Sequence, residues 1–326
     1  MSEFYSCRYL EGGLSFSFGD ARACAVVQNG RGRPILATLS DEEAISVPAL
    51  IERKAEIRAE NQRDGHSECK GCPHLKLQDW GPQNGMLDWI GITNYVICNV
   101  LCTYCWLNYA DYSPMKDTKR RKAQKYQIGP VIDQVLDNGL LKQDAIIDWG
   151  GGGEPTLNPG FDHCFRRLHA HGATQWLHTN AVRFPTTAQD LTFEPGTLRI
   201  LCSLDAGTRE TYARIKQRDR FDRVVTNLRR YIARGAVVVP KYLVVDDNAT
   251  QADAEAFVAR VKDLGSKTVI VDIDHRFPDP KPHIIDALIV LRDLLVDARI
   301  TCRFEAVGSN SVSAELRERM RTPQRA

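Results

Sequence analysis

The chain has 326 residues, 43% hydrophobic and 26% charged, with a formal net charge of +2 and ten cysteines. That length can bury one large core, or one core and a small satellite domain, and the near-neutral charge gives no reason to expect a nucleic acid or anionic membrane partner. Met1 to Asp20 lacks a basic start followed by an apolar stretch, and no segment approaches about eighteen uninterrupted apolar residues, so a cytoplasmic, membrane-free protein is expected. In a reducing compartment, ten cysteines point to metal ligation and thiol chemistry rather than disulfides.

Residues 1–86 carry Cys7, Cys24, Cys69 and Cys72, the last two in Cys69-Lys-Gly-Cys72-Pro-His74. Four thiolates suffice for a second cluster. The run His66-x-x-Cys69-x-x-Cys72-x-His74 also has compact zinc-ligand spacing, and plain buried cysteines are the third reading. A c-type haem is excluded because Pro73 separates Cys72 from His74. From Asp88 onward, β-rich runs at 89–97, 144–149, 174–179, 198–204, 236–245 and 267–274 alternate with amphipathic stretches. The helical stretches are 130–140, 159–171, 221–234 and 250–264, and the link 180–197 reads as irregular. Parallel strands require such crossovers, which makes the expected fold class α/β: a partial (β/α)6 TIM-type barrel over 87–280, preceded by a small cysteine-containing domain. Residues 281–326 read as one helix (Ile284 to Val296), a strand (Ile300 to Phe304) and a basic end.

Two motifs fall at strand ends, where such barrels bind ligands. Cys98-Asn-Val-Leu-Cys102-Thr-Tyr-Cys105 follows the first run, and three thiolates on one loop can hold three irons of a [4Fe-4S] cubane while leaving the fourth open. Ile146-Ile-Asp-Trp-Gly-Gly-Gly-Gly-Glu154-Pro155 ends the second. It lacks the Gly-Lys-Ser/Thr of a Walker loop, and Pro155 stands where a dinucleotide fingerprint needs glycine.

Together these motifs resemble the CxxxCxΦC loop, with Tyr104 as its aromatic residue, and the GGEP segment of the radical S-adenosylmethionine (radical SAM) superfamily. The resemblance implies that SAM chelates the open iron. An electron from the cluster then cleaves it to methionine and a 5′-deoxyadenosyl radical that abstracts a hydrogen atom. It also implies that Gly152, Gly153 and Glu154 grip the amino group of SAM. The run Ser203-Leu-Asp205-Ala-Gly-Thr resembles the fourth-strand segment of the SPASM/Twitch group. By that resemblance Ser203 and Asn180 contact the ribose or carboxylate of SAM and Asp205 contacts SAM or substrate, although helix capping and turn closure explain the same residue types. The stretch Ser15 to Val27 resembles the strand-turn-strand of auxiliary-cluster domains, which favours a second [4Fe-4S] cluster on Cys7, Cys24, Cys69 and Cys72, with zinc as the alternative. Residues 283–326 hold one cysteine, a departure from the cysteine-rich C-terminal extension of many SPASM enzymes.

Asp272, Asp274, His275 and Arg276, after the sixth strand, are candidates to hydrogen-bond a polar substrate. Cys202 alternates with Ser203 and Asp205 and so points away from them, leaving Cys302 as the candidate thiol hydrogen-atom donor. The basic run Lys116 to Lys125 reads as a solvated loop. The expected function is that of a radical SAM enzyme, of oxidoreductase or isomerase type, acting on a small polar, sugar-derived molecule. An external one-electron reductant such as flavodoxin or ferredoxin would supply it. Radical modification of a ribosomally made peptide is the alternative within enzymes. A non-catalytic iron-sulfur or zinc scaffold that senses redox state is the alternative outside them.

Overall fold

The computed structural model describes residues 3–17, 19–24, 34–38, 45–64, 68–105, 126–150, 152–274 and 280–305. The chain divides into two units, one within residues 1–97 and 117–176, the other within 98–116 and 177–326.

The first unit runs β1 (Phe4–Ser6), α1 (Arg8–Gly12), β2 (Gly13–Phe16), β3 (Asp20–Arg22), β4 (Ile35–Thr38), α2 (Val47–Asp64), β5 (Lys76–Gln78) and β6 (Leu87–Ile92). It continues with α3 (Ile128–Asp137), β7 (Leu141–Trp149), a 3-10 turn (Pro155–Leu157) and α4 (Phe161–His171). β6 pairs in parallel with β7 on one side and with β2 on the other, in the register Gly13↔Trp89 to Phe16↔Ile92. β3 and β4 extend that edge antiparallel, and β1 pairs separately with β5. Residues 1–86, expected as a domain of their own, thus lend a strand to the sheet of the first barrel strand. The reason is local: Leu14 and Phe16 of β2 are fully buried and require apolar cover. In α4, Phe161, Cys164, Phe165 and Leu168 recur at helical spacing and are buried, and Gly172 ends the helix in the left-handed region (φ 93°).

β8 (Thr174–Thr179) spans the division of the chain. The second unit then runs α5 (Thr186–Asp190), β9 (Leu198–Ser203), α6 (Arg209–Lys216), α7 (Phe221–Ala233), β10 (Val237–Val244), α8 (Gln251–Asp263), β11 (Thr268–Ile273), α9 (Pro282–Asp297) and β12 (Thr301–Phe304). β9, β10, β11 and β12 pair successively and all in parallel. The six expected strands are therefore present in order, within three residues of their expected bounds except that the first, expected to reach 97, ends at Ile92. Two helices of this unit were not expected: the short α5, within the link read as irregular, and α6. The Arg-Glu-Thr-Tyr-Ala-Arg-Ile-Lys of α6 carries too few apolar residues to show a 3.6-residue period, and the Thr208 side chain, capping Thr211 N, marks its start.

Asp253 in α8 knits the strand ends of this unit. Its Oδ2 accepts Gly207 N at 2.9 Å and Tyr242 Oη at 2.7 Å, and Tyr242 Oη also donates to Asn248 O at 3.0 Å. Gly207 must be glycine for this packing, since a Cβ there would lie 2.3 Å from Asp253 O. No described helix is long and apolar enough to cross a membrane. Removing the carboxylate strands two buried donors, so Asp253→Ala is expected to lower the unfolding free energy by roughly 2–4 kcal/mol and Tyr242→Phe by about 1. Urea denaturation checks both, and equal midpoints for wild type and Asp253→Ala would refute the role given to Asp253.

Candidate cluster and cofactor site

Cys98, Cys102 and Cys105 lie half-buried on an irregular loop of the second unit, and none of the ten cysteines forms a disulfide. Cys105 N donates to Cys102 O at 3.1 Å, closing a turn that brings the second and third cysteines together. The first is held by Asn180, at the end of β8. Its Nδ2 donates to Cys98 Sγ at 3.5 Å and to Asn99 Oδ1 at 2.7 Å, while its Oδ1 accepts Val182 N at 3.0 Å. On either side of Cys102, Leu101 N donates to Lys216 O at 3.0 Å and Thr103 N to Ile215 O at 2.9 Å. The cysteine loop thereby satisfies carbonyls left over at the C-terminus of α6.

Side chains complete this clasp. Lys216 and Asp205 are 0% and 1% exposed and form an ion pair, Oδ2 of Asp205 also accepts Tyr104 Oη at 2.5 Å, and Lys216 Nζ donates to Tyr104 Oη at 2.7 Å. The second carboxylate oxygen accepts Leu243 N at 2.8 Å. Asp205 sits in the left-handed region (φ 56°), a conformation that costs a non-glycine residue about 1 kcal/mol or more. It is held there by Asn248 Nδ2 on its carbonyl at 2.9 Å and by its own amide on Lys241 O at 3.1 Å. Burial alone depresses an ammonium group, but the Asp205 carboxylate outweighs it and holds Lys216 well above its ordinary range. The same burial and the adjacent carboxylate push the Tyr104 phenol well up, so it stays protonated.

A cavity of about 380 Å³ opens in the same unit, lined by Thr103 of the cysteine loop, by Val244 to Asp247 after β10, and by Ile273, Asp274 and Lys281. Asp246 accepts Lys281 Nζ and a ring nitrogen of His283, both at 2.7 Å, which holds its carboxyl below the usual range. The cavity therefore stands at the carboxyl ends of β10 and β11, as expected of a ligand site in parallel α/β folds.

The glycine segment belongs to the first unit. The expected strand 89–97 leaves the sheet at Ile92, and Tyr95 O and Ile97 O then accept Gly153 N and Glu154 N, both at 2.8 Å. A Cβ on Gly153 would lie 2.3 Å from Ile97 O, and one on Gly152 2.9 Å from Tyr95 O. These glycines make room for the backbone that leads directly into Cys98. Glu154, 1% exposed, caps the 3-10 turn: its Oε1 accepts Thr156 Oγ1 at 2.7 Å and Thr156 N at 3.2 Å.

Of the other candidates, Ser203 is half-buried at the end of β9, with Cys202 fully buried beside it. Asp272 is buried and its Oδ1 accepts Ile273 N at 2.8 Å. His275 and Arg276 lie outside the described residues, as do His66 and the run 116–125. Cys302 pairs in register with Val269, at the amino end of β11. At about 3.3 Å per residue it stands roughly 13 Å along the sheet from Ile273 and the cavity, away from the strand mouth where a hydrogen-atom donor is needed. Burial pushes its thiol up to about 11. Among the described residues, no three His, Cys, Asp or Glu side chains gather as a single metal ion requires. Sequence reading missed Lys216 altogether, because its partners Asp205 and Tyr104 lie 11 and 112 residues away.

The Radical SAM superfamily model matches residues 94–261, a span that contains the cysteine loop, the glycine segment and four of the six strands. The chain belongs to the radical SAM superfamily. Among solved structures, Streptococcus suis SuiB bound to precursor peptide SuiA shares the fold, with a TM-score of 0.50 and 14% identity over 91% of this chain and 63% of that one. SuiB bound to S-adenosylmethionine gives 0.48 and 15% over 81% of this chain and 53% of that one. Native anSMEcpe with bound AdoMet gives 0.45 and 16% over 64% and 61%. The chain thus spans about half to two thirds of the length of these proteins. No curated protein matches it. Three soft thiol donors on one loop, with an amide donating to the first sulfur, fit the superfamily's [4Fe-4S] cluster.

Lys216→Met leaves a buried carboxylate without its counter-charge, and a loss of roughly 3–5 kcal/mol in unfolding free energy is expected; the double variant Lys216→Met/Asp205→Leu should recover most of it. Because the folded-state pKa of Lys216 is raised, its contribution is complete below the ordinary lysine value and is lost only as pH climbs through the folded one. The wild-type minus Lys216→Met/Asp205→Leu difference should accordingly be flat from pH 6 to about 9, and a slope in urea midpoints across that window would contradict the assignment. Gly153→Ala should reduce both the thermal midpoint and the iron retained after reconstitution, whereas an unshifted midpoint would show that the backbone tolerates a Cβ there.

Proposed function

We propose that this protein carries a [4Fe-4S] cluster on Cys98, Cys102 and Cys105, takes SAM at the remaining iron, and removes a hydrogen atom from a bound substrate. The observation that supports this most is the three-thiol loop, clasped by α6 and lying within the family match. When bound, the cluster and SAM supply a 5′-deoxyadenosyl radical on receipt of one electron from an external reductant such as flavodoxin or ferredoxin. The protein's own part is positional. Asn180 fixes Cys98 and lends its sulfur a hydrogen-bond donor, a contact that favours the reduced cluster. Lys216, Asp205 and Tyr104 hold the segment around Cys102. Gly152 and Gly153 seat the chain entering Cys98, and Glu154 and Ser203 are assigned to SAM. Thr103, Asp274 and Asp272 are assigned to the substrate side.

For the substrate we favour a peptide. This rests on the shared fold with SuiB, which has been solved with its precursor peptide. The cavity has room for a side chain, and its lining by Thr103, Asp246, Asp274 and Lys281 suits a polar one. The same cavity and its carboxylates also suit a small polar molecule, which keeps that second reading; the sugar-derived form of it draws no support from the comparisons. Anaerobically reconstituted, dithionite-reduced protein should convert SAM to methionine and 5′-deoxyadenosine, and Cys98→Ala should abolish the product. Turnover by Cys98→Ala at the wild-type rate would overturn the proposal.

A further inference from the structure

We propose that Lys241, on β10, anchors a carboxylate group of the substrate, and that Glu305 occupies the same ammonium group until that carboxylate arrives. Strand register places the lysine. Ser203↔Lys241, Lys241↔Ile270 and Ile270↔Arg303 run as one row across β9, β10, β11 and β12, and residues in register on parallel strands share a face. On the same face, the next pair toward the strand ends is Leu243↔Asp272. The opposite face belongs to the helices: Cys202, Tyr242, Val269 and Val271 are buried there, and the Tyr242 ring packs on Phe257 of α8 with centroids 4.5 Å apart.

A parallel sheet is ordinarily covered on both faces by apolar side chains. The face that carries Lys241 is not. Arg199 and Arg303 are exposed on it, Val237 is 43% exposed, and Leu201, Ser203 and Leu243 are half-buried. An open strand face of this kind receives a ligand, and the charges indicate which. Lys241 Nζ donates to Glu305 Oε2 at 2.9 Å, in an ion pair whose side chains are 22% and 41% exposed. So open a pair contributes little to stability, and a carboxylate carried by a ligand can replace that of Glu305 at small cost. Glu305 directly follows β12, and β11 lies between β10 and β12, so the amine leans toward β12. The cysteine loop is tied on the other side, to Asn180 after β8 and to the end of α6 after β9. That direction favours a substrate group over the carboxylate of SAM. Val244, where the cavity wall begins, is three residues further along β10, about 10 Å, a distance that about three residues of extended peptide span.

Calling the anchored group a substrate's rests on the function proposed above, whereas the carboxylate site itself does not, and labelling without turnover keeps the two apart. The reconstituted full chain, held oxidised so that SAM is not cleaved, is acetylated at trace level and each lysine is read by mass spectrometry. Acetyl-glutamyl-glycinamide should protect Lys241 but not Lys281, and its glutaminyl analogue should protect neither. Glu305→Gln, a change at an exposed side chain, removes the competing carboxylate and should lower the half-protecting concentration roughly two- to fivefold. Equal protection by the two peptides, or a half-protecting concentration that Glu305→Gln leaves unchanged or raises, would overturn the proposal. Protection by SAM alone would also overturn it, by giving the ammonium to the cofactor. Failure to form 5′-deoxyadenosine under reduction counts against the radical reading and leaves this protection pattern as it is.

Discussion

A buried ion pair sets the terms for everything near the cysteine loop. Lys216 and Asp205 are both essentially inaccessible to water, and Tyr104, between the second and third cysteines, is bonded to each. Two charges taken out of water are tolerable only when their remaining hydrogen-bond capacity is met. Here it is met by the loop itself and by Leu243 N. The loop has no helix or strand of its own, so its conformation comes from this polar anchor and from the two amides that reach the end of α6. Rigid placement of the ligands follows from charge burial rather than from apolar packing.

In the first unit, the chain leading toward residue 97 is fixed by stereochemistry. Where the first barrel strand leaves the sheet, its carbonyls turn to the glycine segment after the second strand. The separation is so small that a methyl group on Gly153 would overlap Ile97 O. The residue just before Cys98 is therefore pinned by backbone hydrogen bonds, while Asn180 restrains Cys98 from the end of β8. A conformation imposed at residues 98, 101, 103 and 104 leaves the three sulfurs little freedom, which is what an unsupported three-ligand cluster needs to keep one iron accessible.

Much of this was legible in the sequence, because the signals are local. Cysteine spacing lies within eight residues, and the β/α alternation shows as runs of period two and 3.6. What escaped depends on contacts between distant residues. Nothing near Asp205 announces that it pairs with a lysine on the next helix, and α6 itself lacked an apolar period. The glycines read as room for a ligand, and the structure adds a close approach of the Tyr95 and Ile97 carbonyls that no local pattern announces. Cys302 was singled out by elimination; only strand register reveals that β12 begins level with the wrong end of β11.

The central claim is that the loop offers three sulfurs and no fourth protein ligand to its cluster. The most direct measurement is electron–nuclear double resonance on the reduced protein, in a variant lacking the four N-terminal cysteines, with SAM labelled with nitrogen-15 at its amino group. Strong hyperfine coupling of that nitrogen to the cluster, lost when SAM is omitted, is the predicted result. A cluster signal unchanged by SAM, with no coupling to the label at saturating concentration, would contradict it.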